Sequence, residues 1–307
     1  MPASPLTPSP YEVLGVSPSA SDAELRRAYR RMLRAAHPDT GGSEERFHAV
    51  QRAWEQLGTP SARAAYDRHP ASTPGATWVP APPRKKKDSR PLARSHGHPG
   101  GWRREHYLTL IREWAGRGVE VEDPYDPALV RSAPRHLRHL LADALAEEAT
   151  ASALLNLGIG FTLWHDVATD ALGGGPEQKI DHVVLGPSGL FAVLSEDWGA
   201  PVRLRKGEVI GEALDPGEKP FHTLSLRAKW VARSARVKFT ALVIVVPDGA
   251  SDESLTVAGR MRGVPTVLVQ ASRLPDLLRN GLPDGRTVGG TELFEVRTRL
   301  QDAIRFV

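Results

Sequence analysis

At 307 residues the chain is long enough for about two domains, and its 40% apolar and 25% charged content is that of a folded protein. The absence of cysteine excludes a disulfide framework, a thiolate zinc site and a thiol nucleophile. The net charge of +4 is unevenly placed: residues 70–105 hold 8 basic and 2 acidic side chains, whereas residues 106–307 hold 23 and 26.

The first element begins at Ser21, where Ser21-Asp22-Ala23-Glu24 has the form of a capping box. Leu25, Ala28, Tyr29, Met32, Leu33 and Ala36 follow at helical spacing and form one apolar stripe. The rest of that helix carries Arg26, Arg27, Arg30, Arg31 and Arg34, so one side is apolar and the other cationic. Pro38 cannot continue it, and 37–42 reads as a loop. Phe47, Val50, Trp54 and Leu57 mark a second helix that stops at Gly58. Two such helices joined by a short loop pack antiparallel through their stripes. Thr59-Pro60 then caps a short helix through Ala64 and Tyr66.

These residues carry a resemblance. Tyr11 to Arg68 resembles a J-domain, the helical module of DnaJ-type co-chaperones. The likeness rests on Tyr11-Glu12-Val13-Leu14-Gly15-Val16, Leu25-Arg26-Arg27-Ala28-Tyr29-Arg30-Arg31, His37-Pro38-Asp39 and Arg63-Ala64-Ala65-Tyr66-Asp67, in that order. The resemblance implies docking on an ATP-bound DnaK-type (heat-shock protein 70) chaperone and acceleration of its ATP hydrolysis. Arg26, Tyr29, Arg30 and Arg31 would then contact the partner, and His37, Pro38 and Asp39 would trigger it. Charge agrees with this, because a row of guanidinium groups steers toward an acidic surface. Neither a Gly/Phe-rich segment nor Cys-based zinc repeats follow, so the chain reads as a specialised J-protein directed by its remaining sequence.

A stretch rich in Pro, Gly, Ala and Ser comes next, without helical or strand periodicity. The expected organisation is therefore a J-domain at 10–69, a basic flexible linker at 70–105 and a second domain at 106–307. Arg84, Lys85, Lys86 and Lys87 are the linker's candidates for nucleic-acid phosphates, set against the plainer reading of a solvated, self-repelling tether. His96 and His98 lack a third metal ligand.

In the second domain Asp126-Pro127 caps a helix, and Pro134 restarts or kinks the one that follows. Its stripe of Leu137, Leu140, Leu141, Ala144, Leu145, Ala151 and Leu155 predicts that Glu148 points inward and Glu147 lies at the edge. A carboxylate on an apolar face needs a partner, which makes Glu148 a site candidate. Apolar runs at 161–167, 180–185 and 190–195 read as strands, the last two joined by the hairpin signal Gly186-Pro187-Ser188-Gly189. Segments 202–204 and 209–210 extend the meander. A helix over 221–235 leads to strands at 240–246 and 265–270, and helices near 273–279 and 292–306 complete an α/β layering. His165 and His182 are expected as core or edge histidines, and Gly173-Gly174-Gly175 as a hairpin connection.

Glu148, the block from Ile180 to Phe191 and Trp198-Gly199 are together similar to the NERD (nuclease-related) domain. That resemblance implies a restriction-endonuclease-like fold with a metal site built from an Asp and a following Glu-x-Lys. The matching positions here are Asp181, Leu194 and Glu196, so a ligand and the cation are replaced. Strand alternation puts Leu194 and Glu196 on one face and Lys179 on that of Asp181. The expectation is an all-α J-domain hairpin followed by an α/β restriction-endonuclease-like domain. Its function would be a co-chaperone for a DnaK-type ATPase, without catalytic site or cofactor, directed to a protein or nucleic-acid target by a degenerate nuclease-related domain. The alternative is a Mg²⁺-dependent nuclease using Glu148, Asp181 and Glu196, or a nucleic-acid-binding protein with a J-domain. The longest apolar run, 241–246, is too short to span a bilayer and no leader is recognisable, so a cytoplasmic location without membrane contact is expected.

Overall fold

A computed structural model describes residues 6, 8–36, 44–68, 91–116, 119–170, 178–283 and 287–307. The chain divides into two compact units, one made of residues up to 86 with 123–133, the other of 87–122 with 134–307.

The first unit is helical. α1 (Pro10–Leu14), α2 (Asp22–Ala36), α3 (Glu44–Leu57) and α4 (Pro60–Arg68) enclose Tyr11, Leu14, Leu25, Val50, Ala53 and Leu57. The capping box forms at α2, where Ser21 N donates to Glu24 Oε2 at 2.7 Å and Glu24 N to Ser21 Oγ at 3.4 Å. A second one, between Ser9 and Glu12, opens α1. Tyr29 stacks on Trp54 with ring centroids 4.4 Å apart, which ties α2 to α3. Arg63 on α4 fixes the other end: it donates to Tyr11 Oη at 3.0 Å, Asp22 Oδ1 at 3.0 Å and the Pro18 carbonyl at 2.9 Å. The short helix α6 (Pro127–Ser132), capped by Asp126, also belongs to this unit.

The second unit is built on a seven-stranded mixed sheet of order β1-β2-β3-β4-β7-β9-β8. Its strands are β1 (Arg94–His96), β2 (Thr162–Ala168), β3 (Lys179–Gly186), β4 (Gly189–Ser195), β7 (Ala241–Val246), β8 (Leu255–Met261) and β9 (Val264–Gln270). β2, β3 and β4 are antiparallel, whereas β4, β7 and β9 run parallel. Helices cover both faces, which is why β7 is continuously apolar. On one face Phe221, Leu224 and Ala228 of α8 (Pro220–Ala235) and Leu300 of α10 (Gly290–Ala303) pack on Leu194, Leu242 and Ile244. On the other, Leu154 of α7 (Arg135–Leu155) and Leu274, Leu277 and Leu278 of α9 (Leu274–Asn280) pack on Val193, Val243 and Val245.

Three expectations need correction. Ordered structure begins inside the stretch read as linker, because β1 pairs with β2 and α5 (Gly101–Ala115) packs along α7. β5 (Val202–Arg205) and β6 (Glu208–Gly211) form a separate two-stranded sheet instead of extending the meander. β8 was not anticipated: it is an edge strand whose residues are half-buried or exposed, and Gly259 and a bulge interrupt the alternation of Leu255, Val257 and Met261. Among the described residues no helix is long and apolar enough to cross a membrane.

Candidate functional site

Two sets of side chains stand out. The first lies on α2, where Arg26, Arg27, Arg30, Arg31 and Arg34 are all exposed on the face opposite Leu25 and Ala28. Arg27, Arg30, Arg31 and Arg34 line a shallow depression. Tyr29 is half-buried against Trp54, so its ring is committed to packing. His37, Pro38 and Asp39 lie outside the described residues, as do Arg84, Lys85, Lys86 and Lys87.

The second set is buried in the α/β unit, where α5, α7, β2, β3 and β4 meet. Lys179 and Asp181, two apart on β3, share a face as alternation requires. Lys179 Nζ donates to Glu147 Oε2 at 2.6 Å, Asp166 Oδ1 at 2.7 Å and Asp181 Oδ1 at 2.9 Å. Arg103, from α5, reaches the same carboxylates from the other side. Its guanidinium pairs with Asp143, with Glu147 Oε1 at 2.8 Å and with Glu196 Oε1 at 3.3 Å, and lies 4.0 Å from Asp181. Backbone groups complete the shell, with Ser195 N donating to Asp181 Oδ2 at 2.8 Å and Gly100 N to Glu147 Oε2 at 3.1 Å. Asp166 has φ 52°, a left-handed conformation that aspartate adopts more readily than most residues other than glycine.

Burial sets the electrostatics. Desolvation works against the charge of Lys179, but Asp181 and Glu147 overcome it and hold its pKa above the ordinary value. Asp181 is likewise opposed by burial, yet Lys179 and Arg103 hold it well below the usual carboxylate range. Glu147 goes the other way: burial and the Asp181 charge push it up to about 8 against the pull of Lys179 and Arg103. Burial also raises Asp143 well above its ordinary value. Two cations face five carboxylates, and this formal excess of negative charge acts in the same direction as burial, raising Glu147 and Asp143.

The sequence-based candidates fare unevenly. Asp181 is central, as expected, and Lys179 does face it. Glu148 is not the inward carboxylate; its side chain is 37% exposed and accepts from Arg104 Nε at 2.6 Å, while Glu147 is fully buried. Leu145 is exposed and Leu154, not Leu155, is the fully buried residue at the end of α7, so the stripe runs through Leu137, Leu141, Ala144, Glu147, Ala151 and Leu154. Leu194 and Glu196 do not share a face: β4 ends at Ser195, Leu194 packs in the α8 layer, and Glu196 turns toward Arg103 beyond the strand. Ser195 is the β4 residue at the cluster, its Oγ donating to Thr150 at 3.0 Å. The predicted burial of His165 and His182 holds; they are 1% and 0% exposed.

Arg103, Asp143 and Asp166 were missed. A signal existed for Arg103, which precedes Tyr107 and Ile111 at steps of four, and both of these are fully buried on α5. Asp143 stands four before Glu147 in the same way. Nothing local marks Asp166.

The fit of a divalent ion can be judged from this arrangement. His139, Asp143 and Glu196 bring ligand atoms within 4.8 Å of one another. The space among Asp143, Glu147, Asp181 and Glu196 is filled by the Arg103 guanidinium, and Lys179 takes the remaining oxygen of Glu147. As arranged, the carboxylates already have cationic partners and do not fit a Mg²⁺ ion.

Residues 9–67 match the DnaJ domain family. The chaperone protein DnaJ of Thermosynechococcus vestitus is 56% identical over 61 residues, and that of Trichodesmium erythraeum 54% over the same length. Each match covers 19% of this chain and 16% of the relative, so the chain spans about a sixth of the length of the curated relatives it matches. The helical unit thus contains a DnaJ domain, followed by a mixed α/β region.

Proposed function

We propose that the chain is a co-chaperone that binds a DnaK-type chaperone and stimulates its ATPase, directed to its place of action by a nuclease-related (NERD-like) domain that has lost catalysis. The observation that carries the first half is the exposed arginine face of α2 on a DnaJ domain whose opposite face is packed. Such a face accelerates encounter with an acidic surface. Arg26, Arg30 and Arg31 are the contacts on this reading, Tyr29 positions α2 through Trp54, and His37, Pro38 and Asp39 provide the trigger. The second half is supported by Arg103 and Lys179, which occupy the carboxylates that a Mg²⁺-dependent nuclease would need. The restriction-endonuclease-like fold, the targeting role and a cytoplasmic location belong to the same proposal.

One experiment addresses both halves. The full chain is added to a DnaK-type ATPase, and the same preparation is incubated with Mg²⁺ and with DNA or RNA. Stimulation that is lost in His37→Gln, with an unchanged circular dichroism spectrum, is expected together with intact nucleic acid. Equal stimulation by wild type and variant would refute the co-chaperone role. Cleavage abolished by Asp181→Ala would refute the loss of catalysis and favour the nuclease alternative.

A further inference from the structure

At the end of the sheet away from the buried carboxylates, the α/β unit carries a cleft of about 780 Å³. Residues 236–240 between α8 and β7, the β8–β9 hairpin and α10 form its walls. This volume lies in the range of small-molecule sites. Its accessible apolar lining is Val257, Leu282, Val288 and Val296, and behind it Leu185, Leu190 and Phe239 are buried in the core. The rim is cationic: Arg236, Lys238, Arg260 and Arg299 line it against Glu292 and Glu295.

Two of those cations are held in reserve. Arg299 is engaged by Glu295 at 3.4 Å, and Arg260 donates to the Gly263 carbonyl at 3.1 Å. Arg236 and Lys238 are exposed and have no side-chain partner among the described residues. They flank buried Val237, so the chain here alternates a charge over the cleft with an anchor in the core.

The backbone at Arg236 adds an independent observation. It ends α8 in the left-handed region with φ 55°, the position where glycine is free of strain and is the common choice. An arginine there carries a backbone penalty that glycine would not. Arg262, at the tip of the hairpin, is also left-handed with φ 52°, and it lines a smaller cavity that shares Lys238 and Phe239 with this cleft.

We propose that this cleft binds a small amphiphilic anion, its apolar body on Val257, Leu282, Val288 and Val296 and its carboxylate or phosphate between Arg236 and Lys238. An apolar lining with unpaired guanidinium and ammonium groups at the rim complements a ligand that is greasy at one end and anionic at the other. The site is independent of the chaperone reading.

The test uses the fluorescent anion 1-anilinonaphthalene-8-sulfonate with the full chain in its native state. Saturable binding is expected, weakened about tenfold or more in Arg236→Gly/Lys238→Gln, since each lost cation removes a charge-assisted hydrogen bond. The glycine also relieves the strained backbone, so the variant should unfold no earlier than wild type. Lys206→Gly removes a cation from another left-handed residue, outside the cleft, and should leave binding unchanged. Competition with dodecanoate and with adenosine monophosphate separates a carboxylate source from a phosphate one, and displacement by either supports the site. Equal binding by wild type and the double variant overturns the proposal. So does equal weakening by Lys206→Gly, or the absence of saturation below about 1 mM.

Discussion

The buried histidine pair makes stability depend on pH in a way that can be calculated. His165 on β2 and His182 on β3 stand opposite each other, their Nδ1 atoms 2.7 Å apart, and His165 Nε2 lies 3.0 Å from Ser95 Oγ. One Nδ1 must donate and the other accept, so the two rings cannot both be charged. His182 Nε2 has no partner, and an unpaired acceptor is tolerated better than an unpaired N–H. The favoured arrangement therefore has His182 donating through Nδ1, and His165 accepting there while donating to Ser95. Burial lowers His165 from 6.5 to about 4 and holds His182 well below its ordinary value. Above pH 6.5 both folded and unfolded chains hold neutral imidazoles. Below it the unfolded chain takes up protons that the native pair refuses, so stability falls as pH drops toward the folded value. For His165 alone the loss is about 2 kcal/mol at pH 5 and about 3 kcal/mol at pH 4. Urea unfolding at pH 7 and pH 5 measures it, comparing wild type with His165→Asn/His182→Asn. Carboxylates contribute to both proteins alike and cancel in the difference. If the two lost the same stability on acidification, the assignment of a neutral, hydrogen-bonded pair would be wrong.

Two further outcomes follow from contacts in the same unit. Lys179→Met leaves Glu147, Asp166 and Asp181 facing one another without their shared ammonium, and breaking a buried pair on one side costs about 3–5 kcal/mol. A denaturation midpoint within about 1 kcal/mol of wild type would show that the lysine is not the counter-charge. Gly189→Ala should be at least as damaging for a different reason: Gly189 has φ 135°, and a Cβ there would overlap the Thr240 side chain. The thermal midpoint reads this directly, and a shift of under about 2 °C would contradict the close approach of β4 and the start of β7.

What the sequence disclosed follows from the range of the interactions. The caps at Ser21, Thr59 and Asp126, the α2 stripe and the hairpin at 186–189 are set by residues three or four apart, and all form where their spacing predicts. The short α1 was missed although Ser9 and Glu12 carried the same capping signal. β1 has three residues and no apolar alternation, so it is recognisable only once β2 is beside it. The buried cluster was half legible. Lys179 and Asp181 follow from alternation, but the inward carboxylate is Glu147 and not Glu148 because the buried stripe ends on Leu154 and not on its neighbour Leu155. Arg103 and Asp166 arrive from segments 44 residues before and 19 after Glu147, and no local pattern fixes such a meeting.

The identity of the cations bears on the proposed loss of catalysis. A hydrated Mg²⁺ ion exchanges, and a site that uses one must leave its carboxylates open when the ion departs. An arginine cannot leave and cannot be deprotonated, and its planar fork satisfies several oxygens at once. Arg103 is anchored by Tyr107 and Ile111, which are fully buried one and two turns further along α5. Removing the guanidinium from the carboxylates would thus require α5 to lift from α7, exposing that apolar face as well as the charges. On the reading proposed here, the centre has passed from exchanging a cation to holding one covalently. The left-handed backbone at Asp166 accompanies both of its contacts, the carboxylate on Lys179 and the carbonyl that accepts from Val307 N at 3.0 Å.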